Sequence, residues 1–566
     1  MNILCLVPMR VGSVRMPYKH LYKIGNNKIV DLIHRQLVQV FGAENVIFCL
    51  PEENENDLLA NYINSVGLRV ARGSHENVLE RLQTACGDAR HEWVARVNGD
   101  NVIILQDMMK KAISLTSRSD VDVITNVRPR SYPKGCSIEL VRRRIFMEID
   151  SSVLTSTQCE HVFPYIYEMI PAGKLVNLSI PSDYSDLDVS CDDFRQLALL
   201  RYLFQDGPES WYEQDLLKIK EKCQLFESSF PFVGKSGVFT IAEVGGNHEG
   251  DFGYAKELVS QACATNVDAV KLQVYSPDLL VNQKVDQSRY EHFSRFTLTR
   301  TQYDELFTII RQSGKKVSAS VWSIFELKAF IHCLDFVKIG SGDLTDSLIL
   351  DAIRDSGKPI ILSTGLSTMA EIEWAMDRLD YRTKQSRIGV LQCTSMYPIP
   401  DIDSNLLVIQ ALQQRFGCVV GYSDHTVGYK ALELAAAVGA RIQEFHFTDS
   451  REGKTFRDHL VSLTPVETNQ LIERNIKTMT FLGAANKEPA LSEIVAGHTL
   501  TFRKGLFLNK YMAKGQTVTS DDLIALRPEA GISASKADEL VGRVLARDVQ
   551  RLEPLDHACF LLNRGN

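Results

Sequence analysis

A chain of 566 residues is too long for one ordinary core, because domains run to roughly 100–200 residues, and about three domains are expected. A hydrophobic share of 45% with 23% charged residues is that of a globular protein; no apolar run approaches the roughly 18 residues that span a bilayer, and the start, MNILCLVPMRVGS, has neither a basic leader nor a small-residue cleavage site. A net charge of −7 with interspersed signs excludes the basic stripe of a nucleic-acid binder, and twelve cysteines without a C-x-x-C pair speak against a zinc ribbon or disulfide framework, so a cytoplasmic, reduced protein with no membrane partner is expected.

In chain order, the first block alternates apolar β-branched runs with helical-period segments: ILCLVP, VIFCLP near Val46, LRVARG near Leu68 and WVARVNGD near Trp93. This predicts an open, doubly wound parallel sheet. Its first strand runs into PMRVGSVRMPYKHL, where Arg10, Gly12, Ser13, Arg15 and Lys19 and free backbone amides could cradle a triphosphate ahead of a helix. Asp100, in VNGD after a strand, could carry magnesium to those phosphates. The bland alternatives are a solvated basic loop and a turn aspartate. Periodicity is lost between Phe226 and Gly237, where SSFPFVGKSG collects Ser, Pro and Gly, and a linker is predicted there.

Beyond it, eight short strand candidates follow at strand–helix spacing: FTIAEV, DAVKLQ, KKVSAS, FVKIG, PIILST, IGVLQC, CVVGYS and RIQEFH. Eight such units close a (β/α)8 barrel, whose strand C-termini hold the active site. The strand ends carry Glu243, Lys271 with Gln273, Ser320, Lys338 with Ser341, Ser363, Thr394, Ser423 with His425, and His446. Lys271 and Lys338 lie within apolar patterns, and burying an ammonium without a counter-ion is costly, so an anion is expected to meet them unless each snorkels to the rim. His425 and His446 follow consecutive strands and could converge on a divalent ion, although two histidines alone carry little metal signal. Glu243 could hold a sugar hydroxyl or a metal-bound water, or form a structural ion pair. From about Thr499 a Gly-punctuated segment predicts a small β-rich module ending near Leu562.

IAEVGGNHEGD, AVKLQ, KIGSGD, KPIILSTG, CTSMYPIP, GYSDHT and EFHFTD occur in the order of the sialic acid synthase family, which includes legionaminic and pseudaminic acid synthases. The segment after them resembles the antifreeze-like (SAF) module fused to those enzymes. The resemblance implies a phosphoenolpyruvate site of Lys271, Ser320, Lys338, Ser341, Ser363 and Ser423, with His425 and His446 holding manganese. It further implies Glu243, Gln273, Asn247, Asp343, Ser395, Tyr397, Asp458 and Arg527 toward a mannosamine-type sugar. Glu243, Lys338, His425 and His446 would be catalytic, in a homodimer whose C-terminal module covers the partner's barrel. Asp343 stands where the family has Glu and Ser395 where it has Asn, which argues that the acceptor is not simply N-acetylmannosamine.

RVGSVRMPYK, RGSHENVLERL, VNGD and EHVFPYIYE resemble sugar cytidylyltransferases of the spore-coat-polysaccharide type. Here Lys134, Ser137 and Ser190 occupy usual acidic positions, and Asp188 or Asp192 could compensate. Three domains are thus expected: a cytidylyltransferase-like sheet over 1–228, a TIM barrel over 238–490 and a SAF module over 499–566. The two resemblances together imply nonulosonate synthesis from phosphoenolpyruvate and a sugar, followed by activation with CTP. The alternatives are a synthase with a silent N-terminal domain, or a non-catalytic carbohydrate-binding scaffold.

Overall fold

The computed structural model describes residues 2–87, 90–207 and 215–561; the predicted end of the last module near Leu562 lies outside them. The N-terminal strands are β1 (Ile3–Pro8), a short hairpin β2 (Lys23–Ile24) and β3 (Asn27–Lys28), β4 (Val46–Pro51), β5 (Val70–Gly73), β6 (Trp93–Arg96), β7 (Val123–Thr125), β8 (Glu139–Arg142) and β9 (Leu175–Asn177). All but the β2–β3 hairpin form one seven-stranded sheet in the order β5-β4-β1-β6-β8-β7-β9. β1 and β4 are almost wholly buried, as continuous apolar runs demand of strands covered on both faces. The sheet is not purely parallel: β8 runs against both β6 and β7. Residues 126–138, between β7 and β8, contain no helix, and without a crossover the chain returns antiparallel.

The barrel expectation holds strand for strand. β10 (Phe239–Glu243), β11 (Ala269–Val274), β12 (Lys316–Val321), β13 (Phe336–Ile339), β14 (Ile360–Ser363), β15 (Ile388–Cys393), β16 (Val419–Asp424) and β17 (Ile442–His446) close in sequence order, β17 pairing with β10. Inside its lower half Phe239, Ile241, Ala269, Phe336, Ile361, Leu391 and Ile442 make a dry layer.

The predicted linker is largely packed against both domains rather than free. Helix Leu216–Ser229 runs through its first residues and buries Phe226 in the N-terminal core. Phe232 then plugs the barrel floor, its ring edge-on to Phe239 and Phe336 at 5.7 and 5.6 Å. Polar composition around it hid one aromatic with a packing task. The N-terminal domain therefore docks beneath the barrel: a cavity of about 750 Å³ is lined by Arg195, Gln196 and Glu227 on one side and by Lys316, Asp335 and Arg387 at the starts of barrel strands on the other. Ile476 and Met479, on the barrel helix Pro465–Leu482, pack against the N-terminal core.

The C-terminal module is less strand-rich than its sequence suggests. β18 (Gly505–Leu508) pairs antiparallel with β19 (Leu523–Leu526), and isolated bridges such as Met512–Val549 and Leu545–Phe560 tie the remainder. Its own small core gathers Leu506, Leu508, Val518, Leu545 and Leu555. Among the described residues no helix is long and apolar enough to cross a membrane.

Candidate active sites

Strand side chains alternate, so the residues two beyond the apolar floor point into the barrel mouth. Ile241 is followed by Glu243, Ala269 by Lys271, Phe336 by Lys338, Ile361 by Ser363, and Ile442 by Glu444 and His446. The two buried lysines find anions within the chain. Lys271 pairs with Glu243 and donates to Ser320 Oγ at 3.1 Å; Lys338 donates to Glu444 Oε1 at 3.1 Å, which also accepts from Ser423 Oγ at 3.1 Å. Burial and the nearby Glu444 push the Glu243 carboxyl up, while at Glu444 the two lysines together outweigh burial and hold it down. Against burial, Glu243 and then Glu444 keep Lys271 protonated. Breaking such a buried pair by removing one partner costs roughly 3–5 kcal/mol. Glu444 was missed in the sequence, where His446 drew the attention; counting back two residues from that histidine would have found it.

Ser363 Oγ is buried with no partner, and Ser341 Oγ accepts from Gly365 N at 3.1 Å. A methyl added to Gly365 would collide with the hydroxyls of both Ser341 and Ser395, which places those two expected residues together. On the sixth strand the expectation needs correcting. Cys393 rather than Thr394 faces inward, its thiol pushed up by burial beside the hydroxyls of Ser341 and Ser423; Thr394 Oγ1 turns away to donate to Asp403 O at 2.8 Å.

His425 and His446 do converge: their ring centroids are 5.3 Å apart, and Tyr397 lies 4.0 Å from His425. Burial lowers both imidazoles to about 3, so both are neutral. His425 Nδ1–H donates to Thr394 O at 3.0 Å, which fixes the tautomer and leaves Nε2 as a lone-pair donor. His446 Nδ1 is buried without a hydrogen-bond partner, with Asp458 Oδ2 3.9 Å away. Two neutral, oriented imidazoles fit a divalent ion. Among the described residues, however, no group of three or more His, Cys, Asp or Glu side chains is arranged to hold one.

Glu243, Gln273 and His446 surround one point: a methyl added to Gly245, which sits at φ +55°, would lie 3.2 Å from Glu243 Oε1, 3.3 Å from Gln273 Nε2 and 3.5 Å from His446 Cε1. Asp343 is pushed up to about 7 by burial and by Asp346, despite Lys338. Burial also raises Tyr397 and Asp458, and the Arg457 guanidinium lies over the Tyr397 ring and bonds Asp458 at 3.3 Å. Asn247 is buried, and its amide donates to Phe447 O and Ser462 Oγ, both at 2.8 Å; it braces the loop and keeps only Oδ1 free for another role. Arg527 is not gathered with these groups. It lies exposed in the C-terminal module, 5.9 Å from the Phe502 ring, and makes no hydrogen bond or ion pair among the described residues.

In the N-terminal domain, Lys19 is the hub. Its ammonium meets Asp192 at 2.8 Å and Asp100 at 4.0 Å, and Arg15 also reaches Asp192 at 2.9 Å. Burial and Asp192 raise Asp100; Lys19 and Arg15 together outweigh burial at Asp192 and lower it. Of the two aspartates that could replace the missing acid, Asp192 is therefore beside Asp100. Asp188 instead closes a turn, accepting from Ser190 N and Oγ at 3.1 and 2.6 Å. Arg10 pairs with Glu160 at 3.5 Å, and Gly12 faces Glu55. The loop amides are only partly free, since those of Ser13 and Tyr18 donate to Val11 O and that of Met16 to Ser13 Oγ. Ser137 accepts from Arg130 at 3.1 Å.

Fold and sites together define a three-domain α/β protein: a closed barrel whose mouth joins lysines, hydroxyls and paired histidines, set between a nucleotide-binding type of sheet and a small β module. Comparison makes this specific. The NeuB family model matches residues 258–487, the cytidylyltransferase model residues 4–224 and the SAF domain model residues 503–561. The N,N'-diacetyllegionaminic acid synthase of Legionella pneumophila is 33% identical over 328 residues, covering 55% of this chain and 91% of that protein. The pseudaminic acid synthase of Helicobacter pylori is 29% identical over 329 residues, 56% of this chain and 95% of its own length. A putative spore coat polysaccharide biosynthesis protein E from Chromobacterium violaceum, 21% identical with a TM-score of 0.51 over 57% of this chain and 99% of that one, shares the fold. The chain belongs to the NeuB family and carries an N-terminal cytidylyltransferase domain and a C-terminal SAF domain.

Proposed function

We propose that the barrel condenses phosphoenolpyruvate with a mannosamine-type sugar, releasing phosphate and a nonulosonic acid, and that the N-terminal domain transfers CMP from CTP to that acid. The carrying observation is the meeting of Lys271, Lys338, Ser320, Ser423, His425 and His446 in one barrel mouth. Lys271 and Lys338 receive the charged groups of phosphoenolpyruvate, with the hydroxyls of Ser320, Ser341, Ser363 and Ser423 completing the cradle. Two lysines already balanced by Glu243 and Glu444 leave the mouth nearly neutral, so a multiply charged acid needs further positive charge. A divalent ion between His425 and His446, manganese by family resemblance, supplies that charge and Lewis acidity toward the sugar carbonyl when bound. C3 of phosphoenolpyruvate attacks the carbonyl of the open-chain sugar, water adds at C2 and phosphate leaves. Glu243, Gln273, Asp343, Ser395, Tyr397 and Asp458 face the acceptor. The test is phosphate release from phosphoenolpyruvate across mannosamine-type sugars; no release with any of them refutes the reading.

For the second activity, we assign Arg15 and Lys19 to the CTP phosphates and Asp100 with Asp192 to magnesium, a reading supported by the way these four side chains cluster. The two-carboxylate arrangement favours transfer over the silent-domain reading, and pyrophosphate release from CTP plus the nonulosonate decides between them. The aromatic floor of the barrel separates its mouth from the docked N-terminal domain, so the acid travels outside the barrel axis. Exposed Leu366, Ile402 and Leu407 on the loops after β14 and β15 support a cover over the mouth, in our reading the C-terminal module of a second copy bringing Arg527. The free cysteines and the absence of a membrane-length helix among the described residues are consistent with a cytoplasmic enzyme.

A further inference from the structure

The cavity of about 750 Å³ between the N-terminal domain and the underside of the barrel belongs to neither reaction proposed above. Its size lies within the range of about 300–1,000 Å³ in which small organic ligands are held. A seam of hydrogen bonds fixes its two walls against each other. Phe194 N donates to Lys235 O at 3.1 Å, Lys235 N donates to Asp268 Oδ1 at 3.2 Å, and Asp268 Oδ2 accepts from Thr240 N and Oγ1 at 2.9 and 3.0 Å. The seam thus leads from helix Phe194–Leu203, which starts just after Asp192, to β10 of the barrel.

Inside the cavity the charges do not cancel in pairs. Arg195 is paired with Glu227. Of the other carboxylates, Asp335 accepts from Val317 N at 2.7 Å, Asp193 caps its helix through Gln196 N at 2.8 Å and Asp188 holds Ser190, which leaves the exposed Asp186. Lys235, Lys316 and Arg387 form no ion pair among the described residues. Lys316 Nζ donates to Pro231 O at 2.7 Å, while Arg387 Nη2 donates to Gly357 O at 2.9 Å and its Nε is buried without a partner. Burial, and then the Arg195 guanidinium, hold Lys316 below the usual lysine range, a cost that an anion beside it would offset. Apolar surface from Leu199, Phe226 and Pro359 completes the lining. A bare phosphate ion leaves that surface unused, whereas a nucleotide covers it with its base and turns ribose hydroxyls toward the carboxylates.

We propose that this cavity is a nucleotide-binding site distinct from the loop site of Arg15 and Lys19, in which Lys316 and Arg387 take the phosphate and Leu199 and Phe226 the base. Lys316 opens β12, which carries Ser320, and Asp335 directly precedes β13, which carries Lys338. A nucleotide held there touches elements that lead to the barrel mouth on one side and to Asp192 on the other.

Calorimetric titration tests this on the full chain carrying Lys19→Ala, which removes the phosphate-holding lysine of the loop site, with CMP, cytidine and inorganic phosphate as probes in magnesium-free buffer. CMP is expected to bind saturably, and cytidine and phosphate at least about 10-fold more weakly, since each lacks half of the contacts. Adding Arg387→Gln is expected to weaken CMP binding at least about 10-fold, the loss of one hydrogen bond to a charged group, with the circular dichroism spectrum unchanged. Lys316→Met, which keeps the length of the stem, serves if that chain does not fold. Absence of saturable CMP binding overturns the proposal, as does CMP binding that both cavity variants leave unaltered, or inorganic phosphate bound as tightly as CMP. Pyrophosphate release plays no part in this titration, so failure of the proposed CMP transfer is a separate result.

Discussion

The barrel mouth and the N-terminal loop site hold their charges in opposite ways. In the mouth, Lys271, Lys338, Glu243 and Glu444 sit on barrel strands, buried; Lys271 is paired with Glu243 on the neighbouring strand and Lys338 with Glu444 four strands further along the chain. In the N-terminal domain, Arg15, Lys19, Asp100 and Asp192 come from loops and are partly solvated. A strand-borne site tolerates little substitution because register dictates where each side chain points. A loop-borne one can recruit a neighbour, and in the proposed reading Asp192, beside Lys19 and Asp100, takes the place of the acid absent at Ser190.

The largest expected effect tests the mouth. Thorough chelation abolishes condensation and added manganese restores it, whereas pyrophosphate release with magnesium and CTP is recovered independently of manganese; condensation that survives chelation contradicts the roles given to His425 and His446. Truncation before Thr499 comes next. The barrel is expected to fold, read by circular dichroism, yet lose sugar turnover, because the truncation removes Arg527 from every copy. Undiminished turnover would take the module out of the site.

The loop side of the comparison is sharpened by two isosteric changes. Asp192→Asn is expected to lower CTP-dependent pyrophosphate release by about 10²-fold or more, as loss of a metal-bound carboxylate does, and Asp188→Asn by far less because that residue closes a turn. Equal effects would mean that the two aspartates are not distinguished in this way. The smallest effect concerns stability. Asp343, pushed up to about 7 by burial and Asp346, binds its proton more tightly folded than unfolded, so it costs stability as pH rises from about 4 to about 7. Between pH 5 and 8 the wild type should lose roughly 1–3 kcal/mol more than Asp343→Asn in urea denaturation; parallel pH profiles would contradict the buried, proton-holding environment.

Much of this was legible in the chain because strand period and chemistry coincide. All eight barrel strands were readable, and with them Lys271, Lys338, His425 and His446. What escaped depended on three-dimensional pairing. Glu444 was hidden two residues before a more conspicuous histidine on the same face, and Cys393 beside Thr394, where one-residue register decides which faces inward. Phe232 looked like linker until the floor it plugs was seen. The choice of Asp192 over Asp188 depends on which carboxylate folds back onto Lys19.

The most direct measurement is calorimetric titration of phosphoenolpyruvate into the manganese-loaded full chain and its Lys271→Ala, Lys338→Ala and double variants. A single shared cradle predicts that each single change weakens binding at least about 10-fold, and that the double change costs less than the sum, since neighbours in one network couple. Unaltered affinity in both single variants would show that the acid binds elsewhere.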